Sequence, residues 1–342
     1  MPVSTLKDIA IRLNLSISTV AGVLRGKPGF NVRTRKRVLE AARELHYQPD
    51  PMGRALRGGR SMTIGVLIGS FDPAILWKVQ AIEAAARNAE YQAYVVFSGD
   101  RRDPITEPAI ERLLARRVDG LIVYSLLPLS QGCCDLLRGA QRPVVFIDWA
   151  PRWARHRVAI RSEPAIADAV AHLSFLGHRR AVFMAIPENL EYPQNSIAPY
   201  RRAFTAAGMR LVVAPDWLVA PADGEDYPIA AYRVVAKRAK KGDVPTAVVT
   251  VDDEEAVAAM AAFADAGLRV PDDVSVVGYD DHPVARMVRP SLTTLRHPRG
   301  IVGTTAFQML HRLIEDAHAP STTESFDMEL VVRQSTGPAP SK

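Results

Sequence analysis

Cysteine is nearly absent from this chain: 342 residues hold two, Cys133 and Cys134, side by side. Adjacent thiols give neither a disulfide framework nor ligands at metal spacing, so the expectation is an inert pair on a helix and no bound metal. Long apolar runs are missing too. Although 48% of the residues are apolar, no stretch reaches the ~20 uncharged residues that span a bilayer. The opening MPVSTLKDIAIRL has no apolar core of the secretory kind, and a cytoplasmic protein without a membrane partner is expected. Catalytic signatures are equally scarce: no G-x-G-x-x-G follows a strand, G-x-S-x-G and H-E-x-x-H do not occur, and the eight histidines are scattered. Neither an enzyme nor a cofactor is expected.

What the chain does have is a lopsided charge. Residues 1–60 hold 12 Lys/Arg against 4 Asp/Glu, and the rest holds 31 against 33. A compact basic module on a near-neutral body is the footprint of polyanion binding, with a solvated basic face as the plainer alternative. Inside that module TLKDIAIRLNLSISTVAGVL (5–24) reads as two short helices. Thr5 and Asp8 give the S/T-x-x-D/E start of a helix whose Leu6, Ile9, Ala10 and Leu13 share one face. Asn14 enters the left-handed region at low cost, and Ser16 caps the second helix. There Val20, Val23 and Leu24 point inward, leaving Ile17, Ser18, Thr19, Ala21 and Gly22 outward or at the edge. Taken alone, the pattern fits a generic pair of surface helices as well as a helix-turn-helix.

After the loop Arg25-Gly26-Lys27-Pro28-Gly29-Phe30, Asn31 caps a third helix, with Val38, Leu39, Ala42 and Leu45 expected inward. Arg33, Arg35, Lys36 and Arg37 crowd its N-terminal half against the helix dipole, so an anion is expected to compensate them, with Arg25 and Lys27 nearby in sequence. The G-x-x-x-G-K at 22–27 mimics a phosphate loop but has the wrong spacing, and Pro28 replaces the hydroxyl. Residues 49–61 read as a linker in which Asp50, Pro51 and Gly58-Gly59 would bound a short helix that needs a partner to form, with an ordinary flexible linker as the alternative.

From Thr63 the pattern alternates: TIGVLI, AYVVF, GLIVY, PVVFID, RAVFMAI, TAVVTV and VSVVGY are separated by helices expected over 77–89, 106–117, 165–176, 199–207, 253–266 and 302–314. Such alternation implies doubly wound parallel sheets with right-handed crossovers, in two units that break near 160 and 290. Ligands of parallel sheets bind beyond the strand C-termini. That rule selects Asp72 and Ala74–Ile75, Tyr124–Ser125, Asp148, Asp252–Asp253 and Asp280–Asp281. Asp253 and Asp281 are expected as caps, and Asp252 and Asp280 as the ligand contacts.

TLKDIA, LSISTVAGVL, GKPG, TRKRVLEAARELHYQPD and GRALRGGRS, followed by DGLIV, HLSFLGHRRAVF, AGLRVPDDVSVVGYDD, PSLTTL and LVVRQST, stand in the order and spacing of one family. Over nearly its whole length the chain resembles the lactose-repressor (LacI/GalR) family of bacterial transcription regulators. The resemblance implies an α/β protein: an all-α helix-turn-helix headpiece (1–48), a hinge (49–61), and a two-subdomain effector domain of the periplasmic-binding-protein type I fold (62–340). Its N-subdomain is expected at 62–160 and 292–322 and its C-subdomain at 161–290 and 323–336, joined by three connections. His178 falls in a family turn, which gives it a structural role.

By the same resemblance the partners are a double-stranded DNA operator, a small-molecule effector and a second copy in a homodimer, with a tetramer left open. Ser16–Leu24 would enter the major groove with Ile17, Ser18, Ala21 and Gly22 nearest the bases. Thr19 and Thr34 would meet phosphates, supported by Thr5, Leu6, Ser16, Arg25 and Asn31, while Arg54 and Leu56 would act at the minor groove. The dimer interface would involve the helix with Trp77 and the segment near Val284–Met287. The departures are informative. Gly22 stands where the family commonly has Arg, and Gly53 replaces a hinge alanine. Ser196 replaces the effector-clamping arginine and Ala74–Ile75 the sugar-stacking aromatic pair, so an acidic pocket is expected, with a cationic or polyhydroxylated effector in preference to a carboxylate. A periplasmic-type binding protein and an effector-independent regulator are the alternatives.

Overall fold

The computed structural model describes residues 4–24, 26–47, 60–69, 73–98, 105–187 and 197–341. The chain divides into two compact units, Met1–Met62 and Thr63–Lys342.

The first unit is built from local code. Helix α1 (Leu6–Leu13) opens on a capping box, with Thr5 N and Oγ1 each donating to Asp8 Oδ2 at 2.7 Å. Asn14 closes it with φ 53° and ψ 50°, the left-handed turn that its side chain tolerates. Ser16 Oγ accepts from Thr19 N at 3.0 Å at the start of α2 (Ile17–Leu24). Asn31 Oδ1 accepts from Thr34 N at 2.7 Å at the start of α3 (Val32–Glu44). Ile9, Ala10, Val20, Val23, Val38, Ala41 and Ala42 form the core. Each fully buried Val or Ile contributes about 1.5–3 kcal/mol. Leu39, expected inward, is 42% exposed. Val38, Ala41, Ala42 and Leu45 follow the i, i+3, i+4, i+7 stripe, and Leu39 falls beside it.

The second unit holds two six-stranded sheets. Its elements run β1 (Thr63–Ile68), α4 (Pro73–Asn88), β2 (Gln92–Phe97), α5 (Glu107–Ala115), β3 (Gly120–Ser125), α6 (Gln131–Gly139), β4 (Val144–Asp148), β5 (His156–Arg161), α7 (Glu163–Phe175), β6 (Arg180–Phe183), α8 (Ile197–Ala206), β7 (Arg210–Val212), α9 (Tyr227–Lys240), β8 (Ala247–Val249), α10 (Asp253–Asp265), β9 (Ser275–Asp280), α11 (Pro283–Met287), β10 (Thr293–Arg296), α12 (Arg299–Glu315), β11 (Thr322–Asp327) and β12 (Glu329–Val331). The first sheet has order β11-β5-β4-β3-β1-β2 and the second β12-β10-β9-β8-β6-β7. Pairing is parallel throughout except for β12 against β10. Side chains alternate between faces, as the pleat requires. Leu67, Leu121, Val123 and Phe146 pack under α5 and α6. In the second sheet Val182, Val248 and Val276 face α9 and α10, while Phe183, Val249 and Val277 face α7 and α8. Cys133 and Cys134 are buried, unoxidised, on α6.

The connections differ from the expected boundaries. The first crossing lies between β5 and α7. The second was expected near 290, yet Thr293–Arg296 pairs with β9 and stays in the second sheet, which moves that crossing to 296–299. Thr322–Asp327 then pairs with β5 of the first sheet, so the last crossing follows Asp327 rather than residue 322. Ladder hydrogen bonds decide membership here, and the alternating TTESFD edge strand carries too little apolar surface to declare its sheet. His178 is buried in the second half, its ring nitrogens 3.1 Å from Thr246 Oγ1 and Ser275 Oγ and 3.2 Å from the Gly337 carbonyl. That is a structural knot which fastens the C-terminal segment.

Helices α4 and α12 meet closely at Gly303, where an added Cβ would lie 2.3 Å from the Lys78 carbonyl oxygen. Backbone yields less readily than a side-chain tip. Gly303→Ala is expected to destabilise the second unit by about 1–3 kcal/mol in urea titrations. An unchanged midpoint would mean that the helix pair is not in contact there.

Candidate functional site

In the first unit, α2 presents Ser16, Ile17 and Ser18 to solvent, with Ile17 44% exposed, and Thr19 is half-buried beside them. Ser16 Oγ lies 2.8 Å from both Ser18 Oγ and Thr19 Oγ1, so three hydroxyls form one cluster at the helix start. Leu6 packs against the core, Thr5 and Asn31 serve as exposed caps, and Thr34 is half-buried. Arg25, Arg54 and Leu56 lie outside the described residues. Two cations of α3 are anchored internally. Arg37 Nη2 donates to the Leu13 carbonyl at the negative end of α1 at 3.3 Å, and Arg35 Nη2 donates to the Lys27 carbonyl at 3.0 Å. Part of the compensation assigned to an external anion is therefore supplied by the fold.

Ala21 and Gly22, expected outward or at the edge, are not exposed. Ala21 is 7% exposed and Gly22 is buried, because Phe30 closes over it. Loop residue 30 and helix residue 22 meet only in three dimensions, so no local pattern announces the contact.

In the second unit the strand-end rule brings several groups together. Lys78 of α4 is 2% exposed, and its ammonium donates to Tyr124 Oη at 3.0 Å and lies 3.8 Å from Asp148 Oδ2. Asp148 also accepts from Ile160 N at 3.2 Å through Oδ1. Across from this group, Asp280 Oδ1 lies 2.9 Å from His297 Nε2, and the Asp280 carbonyl accepts from Arg299. Burial pushes the Asp280 carboxyl up, but His297, His282 and Lys78 more than offset it and hold its pKa at about 2. Asp148 and Asp280 adopt φ 63° and 105°, a conformation non-glycine residues rarely take and one that functional sites hold under strain. The Tyr279 ring is 5.4 Å from that of His297, edge to face. Burial raises the phenol pKa of both Tyr200 and Tyr279. Among the described residues, Tyr200 Oη, His297 Nδ1 and Arg299 Nε are buried without a hydrogen-bond partner.

The cap expected at Asp253 falls to its neighbour. Asp252, expected to contact ligand, is the N-cap of α10, its Oδ1 accepting from Glu255 N at 2.9 Å. Asp253, expected as the cap, is buried inside, accepting from Thr294 Oγ1 at 2.5 Å and His282 N at 2.7 Å, and burial raises its pKa well above the usual carboxyl value. Asp281 is no turn cap. It is clamped by Arg286, Arg296 and Arg333, which ties β9, α11, β10 and the C-terminal segment together. Ile75 is buried in α4, while Asp72, the Ala74 side chain and Ser196 lie outside the described residues. Sequence reasoning missed Lys78, Tyr200, Tyr279, His297 and Arg299. The signal for Lys78 was present: it interrupts the buried stripe Ile75, Lys78, Ile82 at helical spacing. His297 and Arg299 would have followed had Thr293–Arg296 been read as a strand.

The sign of the Asp280 contribution is fixed by its depressed pKa. Its share of stability is present above the unfolded carboxyl value near 3.8 and is lost as pH falls through about 2. Asp280→Asn is expected to flatten that acid limb in urea midpoints measured between about pH 2 and 6. An acid limb identical to wild type would show that the carboxylate is not held by these cations.

Comparison with known proteins supports both units. Residues 5–50 match the bacterial regulatory proteins of the lacI family, and residues 170–336 match the periplasmic binding protein-like domain. The HTH-type transcriptional repressor PurR of Aliivibrio salmonicida is 30% identical over 336 residues, 97% of this chain and 98% of that protein. The HTH-type transcriptional repressor CytR of Escherichia coli K12 is 29% identical over 341 residues, 98% and 97% of the two chains. The Lac repressor dimer bound to operator and the anti-inducer ONPF superposes with TM-score 0.83 at 26% identity, covering 98% of this chain and 100% of that one. Identity at this level, carried across headpiece and body alike, makes this chain a member of the lacI family of bacterial regulatory proteins.

Proposed function

We propose that this DNA-binding transcriptional regulator is a repressor that binds a near-palindromic operator as a homodimer and takes a small molecule in the cleft between its subdomains. The hydroxyl-rich first turn of α2 carries the DNA half of the reading: it stands exposed on a unit of its own, close in sequence to a run of cations. Ile17 and Ser18 are placed at base edges and Thr19 and Thr34 at phosphates. Arg54 and Leu56 are assigned to the minor groove between half-sites, where a wedged side chain opens a base step and bends the duplex. Helix α4 with the half-exposed Trp77, and α11 with the exposed Met287, are the proposed dimer faces. The relatives are transcriptional repressors, so catalysis is not part of the reading.

The proposed effector is neutral and polyhydroxylated. Asp148 already pairs with the Lys78 ammonium and Asp280 with the His297 ring, so both acids that the cleft offers have partners within the fold, which weakens the case for a cationic ligand. The buried Tyr200 hydroxyl, His297 Nδ1 and Arg299 Nε, by contrast, lack partners of the kind that hydroxyl groups supply. Opening or closing of the cleft would couple to DNA affinity by a few kcal/mol.

Leu56→Ala is expected to weaken operator binding by about tenfold or more while leaving nonspecific binding nearly unchanged. Equal losses on both duplexes in gel-retardation titrations would remove the wedge. In thermal-shift screens, monosaccharides and polyols are expected to raise the Tm of the full chain where polyamines do not. A shift with polyamines alone would reverse the effector assignment, and no shift with any compound would leave an effector-independent regulator.

A further inference from the structure

The loop residue Phe30 lies on the face of α2 that reads DNA in the proposal above, and the inference rests on that reading. At about 100° per residue, Gly22 falls roughly 40° from Ser18 and about 130° from the mean direction of Val20 and Val23, which enter the core. Gly22 therefore points away from the core, and it would be exposed if nothing lay over it. It is buried because the tip of the Phe30 ring covers it: a Cβ built on Gly22 would lie 2.6 Å from Phe30 Cζ and 2.8 Å from Cε2. Phe30 also packs against the headpiece core, and the residue as a whole keeps partial exposure. An aromatic ring thus occupies the space into which a side chain at position 22 would grow, one turn along from Ser18. A ring there has no hydrogen-bonding atom, so it cannot read guanine or adenine by their polar edges. Apolar contact with the 5-methyl group of thymine is the base readout open to it.

We propose that Phe30 is a specificity-determining residue that substitutes for the missing side chain at position 22 and selects a thymine methyl group in each operator half-site.

The test uses the full-length protein. A preferred duplex is first selected from a randomised pool, and each thymine in it is then replaced by uracil, which removes only the methyl group. One position per half-site is expected to lose about fourfold in affinity, the equivalent of one buried methyl. That loss is expected to vanish in Phe30→Leu, which keeps apolar packing at the core rim but withdraws the ring tip, while nonspecific binding and thermal stability stay close to wild type. Gly22→Ala is expected to blunt the same position, since its Cβ must displace the ring. If no uracil position depends on residue 30, or if Phe30→Leu lowers affinity for every duplex alike, Phe30 is a packing residue and the inference falls. Failure to select any preferred duplex would instead defeat the DNA-binding reading beneath it.

Discussion

A lysine ammonium withdrawn from water needs negative charge close by, because stranding an ion inside a protein costs several kcal/mol. Lys78 imposes that constraint on the second unit. Its partners Tyr124 and Asp148 stand at the ends of β3 and β4, which reach the same edge of the first sheet because neighbouring parallel strands end together. Asp280 ends a strand of the other sheet, and Lys78 also helps hold its carboxylate ionised. One buried cation therefore acts on acids from both subdomains. The segment that crosses between the subdomains after β10 takes part as well, since His297 and Arg299 bind Asp280. The cleft is thus wired to one of its own connections, and a ligand that alters the spacing of its walls must alter these interactions.

The headpiece was legible from sequence because its determinants are local. Thr5 with Asp8, Asn14, Ser16 and Asn31 act within three or four residues of themselves, and each sits where its chemistry suggested. The helix-and-strand alternation of the body was legible for the same reason, since a buried parallel strand such as TIGVLI announces itself by composition. What could not be read were pairings between distant residues. Thr322–Asp327 belongs to the first sheet only through β5, more than a hundred and fifty positions earlier. Asp252 and Asp253 look interchangeable in the sequence, and only the extended backbone at Asp252 decides which carboxylate turns back to cap α10. Gly22, expected outward or at the edge, is covered by Phe30 from a loop later in the chain.

Acidic residues in a cleft invite a reading by count, and the count misleads here. Asp148, Asp280 and Asp281 are each met by a lysine, histidine or arginine side chain from another element. Asp253, one residue from a cap, is pushed the other way by burial. The environment of each carboxyl, which differs from one position to the next, sets its chemistry.

Both sheets of the body are discontinuous in the chain. The first is completed only by Thr322–Asp327, and the second only by Glu329–Val331 and by the segment through Gly337 and Ala339 that bonds His178, Ser275 and Leu176. A nascent polypeptide leaving the ribosome therefore has all three headpiece helices synthesised early, whereas neither sheet of the body can be completed until residues 322–331 have emerged. The nucleic-acid-seeking part of the molecule is born well ahead of the part that governs it.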